Sequence, residues 1–240
     1  MKMRTRLLTW DVKNTLLRVR HTVGELYSSE AKLHGIRVEA KALDRSFQAV
    51  VRMQDKLFPN YGQGQGLSSH QWWVEIVKRT FRVCGVSDER VLSLLAENLY
   101  QGFSSAKNWE VFSDVKDTLI HCDRLGIHMA VISNFDHRLE QILVDCGLRE
   151  HFQFVLTSEG VGIAKPDHRI FTKALGFAQV EPKQAMHIGD DVWMDYLAAR
   201  AVGMESYLIY RGKEEPAKAK GLVPRAHILH SLQQLHSLLK

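Results

Sequence analysis

Five short apolar runs, most of them followed by helical periodicity, set the strongest limit on how this chain can fold. They are Leu7 to Trp10, Met129 to Ser133, Phe154 to Leu156, Ala185 to Ile188 and Ser206 to Tyr210. Each is too short for a buried helix and reads as a strand. Behind the second run, Leu139, Ile142, Leu143 and Cys146 recur at i, i+3, i+4 and i+7 and stop at Gly147. Behind the third, Ile170, Phe171, Ala174 and Leu175 precede Gly176; behind the fourth, Leu197, Ala198 and Ala201 precede Gly203. A last helix opens at Ser231, with Gln234 at the capping-box spacing, and carries Leu232, Leu235, Leu238 and Leu239 on its buried side. Strands alternating with helices predict an α/β fold: a doubly wound, Rossmann-like parallel sheet covered on both faces.

The alternation breaks after the first strand. Residues 17–107 show no convincing strand and a series of amphipathic helical patterns instead. These are Val23, Leu26, Tyr27 and Ala31; Phe47, Val50 and Val51; Trp72, Trp73, Ile76 and Val77; and Val91, Leu94, Leu95 and Leu99, the last group with Ser87 as its N-cap. An all-helical insertion over 17–107 is expected, with 1–16 and 108–240 forming the α/β core. The glycine-rich stretch Asn60 to Gly66 matches neither a P-loop nor a dinucleotide fingerprint and reads as a flexible surface loop. At helical spacing, at least one of Trp72 and Trp73 belongs to the core of the insertion.

With 240 residues and 45% hydrophobic content, the chain has ample material for a core domain and a smaller inserted one. Its net charge of +5, from 32 basic and 27 acidic residues, is scattered. That predicts a mild attraction to small anions and no nucleic-acid partner, which would need clustered charge. No apolar stretch approaches the roughly 18 residues that span a bilayer. Asp11 ends the first apolar run too early for a signal peptide. The expectation is a soluble intracellular protein, most simply cytoplasmic, without a membrane partner, as a monomer or weak homodimer. Cys84, Cys122 and Cys146 each fall on an apolar helix face and read as buried free thiols. The twelve histidines show no ligand clustering, which argues against zinc; His227 and His230 read as surface or strand-end residues.

Ligands of a doubly wound sheet gather at the carboxyl ends of its strands. The first strand ends in Asp11 and the second in Ser133-Asn134. After the third comes Lys165-Pro166, and the fourth ends in Gly189-Asp190-Asp191, with Asp195 beyond. Singly, each is more often a turn, a cap or a loop residue than a site. Together they put carboxylates, a hydroxyl, an amide and an ammonium on one edge. A carboxylate such as Asp11 can attack phosphorus and divide one hard displacement into two easier ones. Several carboxylates repel unless a cation lies between them, and hard oxygen donors suit Mg²⁺. Ser133 and Lys165 can hold the non-bridging phosphate oxygens.

At this point the chain resembles the haloacid dehalogenase superfamily. The resemblance covers nearly the whole length: Asp11 to Thr15, the helical insertion, Val131 to Asn134, Lys165-Pro166-Asp167 through Phe171, and Gly189-Asp190-Asp191 with Asp195. It implies a Rossmann-like core with a helical cap. It also implies a phosphatase-type hydrolase acting on a small phosphorylated molecule through an aspartyl-phosphate. Asp11 matches the nucleophile and a metal ligand, and the main-chain carbonyl of Lys13 a second ligand. Ser133 and Lys165, with Asn134 beside them, match the phosphate-holding residues. Asp190 matches the metal-binding acid and Asp195 its supporting partner, and Asp191 could share that work.

Lys13 departs from the pattern. Phosphatases of the family usually place there an aspartate that protonates the leaving oxygen and then activates water. An ammonium group is a poor base at neutral pH, and loss of positioned proton transfer typically slows a reaction by about 10²- to 10⁴-fold. Slow turnover is expected, with a phosphate-binding pseudoenzyme as the alternative and an amine nucleophile as a third reading. The plainest role for Lys13 is charge neutralisation, paired with Asp11 or Asp190. Dehalogenases of the family also lack this aspartate, but do not usually carry the Gly-Asp-Asp metal motif.

Overall fold

The computed structural model describes residues 4–212 and 221–239. They fall into two compact units, residues 1–18 with 111–240 and residues 19–110.

The first unit is built on six strands: β1 (Leu7–Trp10), β2 (His128–Ser133), β3 (Phe154–Thr157), β4 (Ala185–Gly189), β5 (Glu205–Ile209) and β6 (Ile228–Leu229). All neighbouring pairs run parallel, in the order β3-β2-β1-β4-β5-β6. Parallel strands need crossovers, and the helices between them supply these. β1 is central and fully buried, with Thr9 registered against Ala130 of β2 and His187 of β4. On one face Leu7, Ala130, Ile132 and Leu156 pack against Ile170, Phe171 and Ala174 of the helix Arg169–Ala178. Leu8 and Trp10, which point the other way, are equally buried, so both faces are covered. The strand order reverses at β1, and such a switch point opens a crevice at the carboxyl ends of the strands on either side.

The second unit is helical. Val23–Leu33, Ala40–Leu57, Ser69–Val83 and Glu89–Gly102 bury Tyr27, Ala31, Leu43, Val77, Phe81, Leu92, Leu95 and Leu99 in a common core. Thr22 and Ser68 start two of these helices with reciprocal capping boxes. The fourth is capped by Asp88, whose carboxylate accepts from Arg90 and Val91, and not by Ser87. A carboxylate suits the positive end of a helix better than a hydroxyl one position too early.

Four expectations need correction. A three-residue strand, Leu17–Val19, stands at the start of the stretch read as free of strands and pairs with Trp109–Val111. Three residues are too few to show a period-two pattern. The glycine-rich stretch is a short 3-10 turn, Asn60–Gln65, with Tyr61 in the left-handed region at φ 63° and its ring 5.2 Å from that of Trp72. Trp72 is core, its indole donating to the Phe58 carbonyl. Only Cys122 of the three cysteines is buried; Cys84 and Cys146 are half-exposed. Leu238 in the last helix is also only half-buried, while Leu232, Leu235 and Leu239 are buried.

Candidate active site

The loop after β1 creates the first part of the site. The Asp11 amide extends the ladder to the Ile188 carbonyl at 2.9 Å, so the carboxylate is fixed to the sheet. The chain then folds back tightly, with the Val12 carbonyl accepting from the amides of Leu16 and Leu17. Asn14 takes φ 61°, a conformation asparagine tolerates, and its side-chain Nδ2 donates to Asp190 Oδ2 at 3.2 Å. Val12 and Leu16 are buried beneath this loop, and Lys13 stands exposed on it.

Ser133, at the end of β2, donates its hydroxyl to Asp11 Oδ1 at 3.0 Å. Asn134 follows and grips the main chain of Lys165. Its Oδ1 accepts from the Lys165 amide and its Nδ2 donates to the Lys165 carbonyl, each at 2.8 Å. The amide read as a phosphate contact thus holds the lysine that reaches the site. The Lys165 ammonium is buried and donates to Asp11 Oδ1 at 2.7 Å, Asp195 Oδ1 at 2.6 Å and the Ile132 carbonyl at 3.0 Å.

At the end of β4, Gly189 has no side chain because none fits: a Cβ there would lie 2.2 Å from Asp195 Cγ. Asp191 caps the π-helical turn Val192–Leu197, its Oδ1 accepting from the amides of Trp193 and Met194. Asp191 is not among the three carboxylates that converge at the site. Asp11, Asp190 and Asp195 each place one oxygen within 4.8 Å of the others'. The π-helical turn brings Asp195 back under Gly189, where its Oδ2 accepts from the Asp191 amide at 3.0 Å.

Sequence reasoning missed the support beneath. His187, fully buried in β4, lies with Nε2 3.1 Å from Asp195 Oδ1 and Nδ1 2.9 Å from Thr9 Oγ1. Burial pulls the imidazole below its usual range despite the nearby carboxylates. A neutral ring beside an acceptor-only carboxylate carries its proton on Nε2, so Nδ1 accepts from Thr9. A polar chain thus runs Thr9, His187, Asp195, Lys165, Asp11, Ser133. One signal was available: in β4, a histidine alternating with apolar residues faces the side that carries Asp11.

Charge in this buried group is uneven. Burial would depress the Lys165 ammonium, but Asp11 and Asp195 outweigh it and hold it above its ordinary range. Asp195 lies below the carboxylate range: burial opposes this, and Lys165 and His187 override it. Asp11 is raised, chiefly by burial and further by Asp195, with Lys165 opposing. Asp190 is pushed up to about 7 by burial and by the charges of Asp11 and Asp195. The group gathers three carboxyl groups around one ammonium. Lys13 does not supply the balance: among the described residues it forms no ion pair, and Lys165 is the cation on Asp11. The expected pairing of Lys13 with Asp11 or Asp190 is thus corrected. The loop turns its side chain to solvent, and Lys165, from the loop beyond β3, already offsets the charge of Asp11.

The family model for haloacid dehalogenase-like hydrolase matches residues 5–203, and the chain belongs to that family. It is 50% identical over 234 residues to haloacid dehalogenase-like hydrolase domain-containing protein 3 of Bos taurus, covering 98% of this chain and 93% of that one. Among solved structures it is similar to the HAD-hydrolase YfnB from Bacillus subtilis bound to magnesium, with TM-score 0.74, 14% identity and coverage of 99% and 100%. It is also similar to a dehalogenase with an intermediate complex, with TM-score 0.73, 21% identity and coverage of 98% and 97%. At these identities the structures share the fold, and the fold does not choose between chemistries. No helix among the described residues is long and apolar enough to cross a membrane.

Proposed function

We propose that this chain is a Mg²⁺-dependent phosphohydrolase that passes a phosphoryl group from a small phosphorylated metabolite to Asp11 and then to water. The observation that carries this reading is the unequal treatment of the Asp11 oxygens. Oδ1 is fixed by Ser133 and Lys165, while Oδ2 has no donor among the described residues. One oxygen is anchored and the other left available for attack, as a positioned nucleophile requires.

The donor set fits a hard divalent cation. Three carboxylates converge within 4.8 Å, and their mutual repulsion, added to burial, raises Asp190 to about 7. Asp11, Asp190 and the main-chain carbonyl of Lys13 would hold Mg²⁺. Asp195 has both oxygens engaged by Lys165, His187 and the Asp191 amide, which suits it to support. When bound there, Mg²⁺ would offset the charge of the transferring phosphoryl group.

The chain's own residues account for the rest. An Asp11 oxygen bonds to phosphorus as the bond to the leaving oxygen breaks. The leaving group keeps that electron pair and takes a proton from solvent. Ser133 and Lys165 donate to non-bridging oxygens of the phosphoryl group. Water then cleaves the acyl phosphate, releasing phosphate and restoring Asp11. Lys13, exposed and unpaired among the described residues, leaves both proton transfers to solvent. Turnover is therefore slow and best with leaving groups that need no protonation. The same observation favours a second reading, a phosphate-binding pseudoenzyme, which would be stabilised thermally by phosphate and Mg²⁺ without hydrolysing any of a broad substrate panel.

Hydrolysis of nitrophenyl phosphate tests the first reading. Activity is expected with Mg²⁺ and lost with EDTA or in Asp11→Asn; activity that survives both rules the mechanism out.

A further inference from the structure

The turn that carries Asp191 and Asp195 also carries two large apolar side chains out to solvent. Trp193 is 55% exposed and Met194 39% exposed, directly after Asp190-Asp191-Val192. Val192 is buried in a small cluster with Tyr196 and Leu208, so the turn has an inner face already satisfied. Its outer apolar residues do not serve that packing.

Their place is set by two contacts. The Trp193 and Met194 amides both donate to Asp191 Oδ1, at 2.8 and 2.9 Å, which pins the turn at the end of β4. The Met194 sulfur lies 3.5 Å from Asn134 Nδ2, the group that also grips the Lys165 carbonyl. Met194 is thus in contact with the residue that holds the Lys165 main chain, and Trp193 precedes it on the same turn. The turn is π-helical, a departure from ordinary helix that is frequent at functional sites.

The base of the site is charged: Asp11, Asp190, Asp195 and Lys165. Its edge at Asn134 is apolar and polarizable. A ligand that satisfies both has an anionic phosphoryl head and an apolar body. An exposed indole offers a flat face and edge to another ring, and a thioether makes favourable contacts with aromatic edges. We infer that Trp193 and Met194 form a specificity rim that receives the aromatic leaving group of an aryl or aryl-bearing phosphate ester. The inference rests on the phosphohydrolase reading and adds a substrate class to it.

Phenylphosphonate and methylphosphonate, which are not hydrolysed, separate the two. Their dissociation constants are measured by calorimetry with Mg²⁺ on the full chain and on Trp193→Ala, Met194→Ala and Trp193→Phe. Wild type is expected to bind phenylphosphonate about three- to tenfold more tightly than methylphosphonate, the range of an aromatic contact. Trp193→Ala is expected to abolish that preference with methylphosphonate binding unchanged, Met194→Ala to reduce it, and Trp193→Phe to keep most of it. All three variants change exposed side chains, so their melting temperatures should match wild type. Equal affinity for the two phosphonates in wild type, or a preference undiminished in Trp193→Ala, overturns the rim and leaves the phosphohydrolase reading standing. Binding of neither phosphonate overturns that reading, and the rim with it.

Discussion

Lys165 Nζ donates to Asp195 Oδ1 at 2.6 Å with both side chains closed off from solvent. The same ammonium bonds Asp11, so one cation holds two buried carboxylates, one at the end of β1 and one in the turn after β4. Removing one partner of a buried ion pair typically costs about 3–5 kcal/mol, because the remaining charge loses its compensation. Lys165→Met should lower the unfolding free energy by about that amount in a urea titration with phosphate absent. A loss below about 1 kcal/mol, the level of an exposed pair, would show that this lysine does not hold the group together.

Lys13 bears on rate rather than on stability. It is exposed and makes no ion pair among the described residues, so its replacement should leave the melting temperature nearly unchanged. Lys13→Asp supplies the missing acid and base and should raise steady-state phosphatase turnover, by up to about 10²- to 10⁴-fold. The gain should be greatest for alkyl phosphates, whose leaving groups need protonation. A variant that folds, binds Mg²⁺ and shows no gain would place the limit on turnover elsewhere.

How much of this could be read from the residues follows from the range of each interaction. The strands β1 to β5 were legible because their apolar runs are local, as were Asp11, Ser133 and Asp190 at strand ends and Lys165 in the loop beyond β3. The roles within the group were not. Asn134 and Asp191 read as a ligand contact and a metal ligand; their contacts to a main chain 31 residues away and to the start of a turn were not foreseen. His187 stayed hidden because a lone histidine in an apolar strand shows nothing until its neighbours across the sheet are known. The Lys13 pairing failed for the same reason: the sequence puts Lys13 next to Asp11, and the sheet puts Lys165 there.

Asp114 ties the last segment of the chain to the sheet domain. Its carboxylate accepts from the Leu232 amide at 2.8 Å, the Ser231 hydroxyl at 2.9 Å and the Arg211 guanidinium at 3.0 Å. Burial alone would raise this carboxyl, but those donors outweigh it and hold it below the ordinary range. A depressed value in the folded state means stabilisation that is complete above the unfolded-state value, about 3.9, and is lost as pH falls through the folded value. Asp114→Asn should therefore be less stable than wild type at neutral pH, with the two converging in acid. Urea midpoints measured from pH 7 downward test this; curves that stay parallel contradict it.

The most direct test concerns Asp11 itself. On the proposed mechanism, with Lys13 unable to activate water, cleavage of the acyl phosphate should be slower than its formation from a good leaving group. Rapid mixing with nitrophenyl phosphate and Mg²⁺, acid quenching and peptide mass spectrometry should find a phosphoryl group on Asp11. Its amount should match an initial burst of nitrophenol, and both should vanish in Asp11→Asn. Nitrophenol released by the wild type with no phosphoryl group on Asp11, or released equally by Asp11→Asn, would contradict the account.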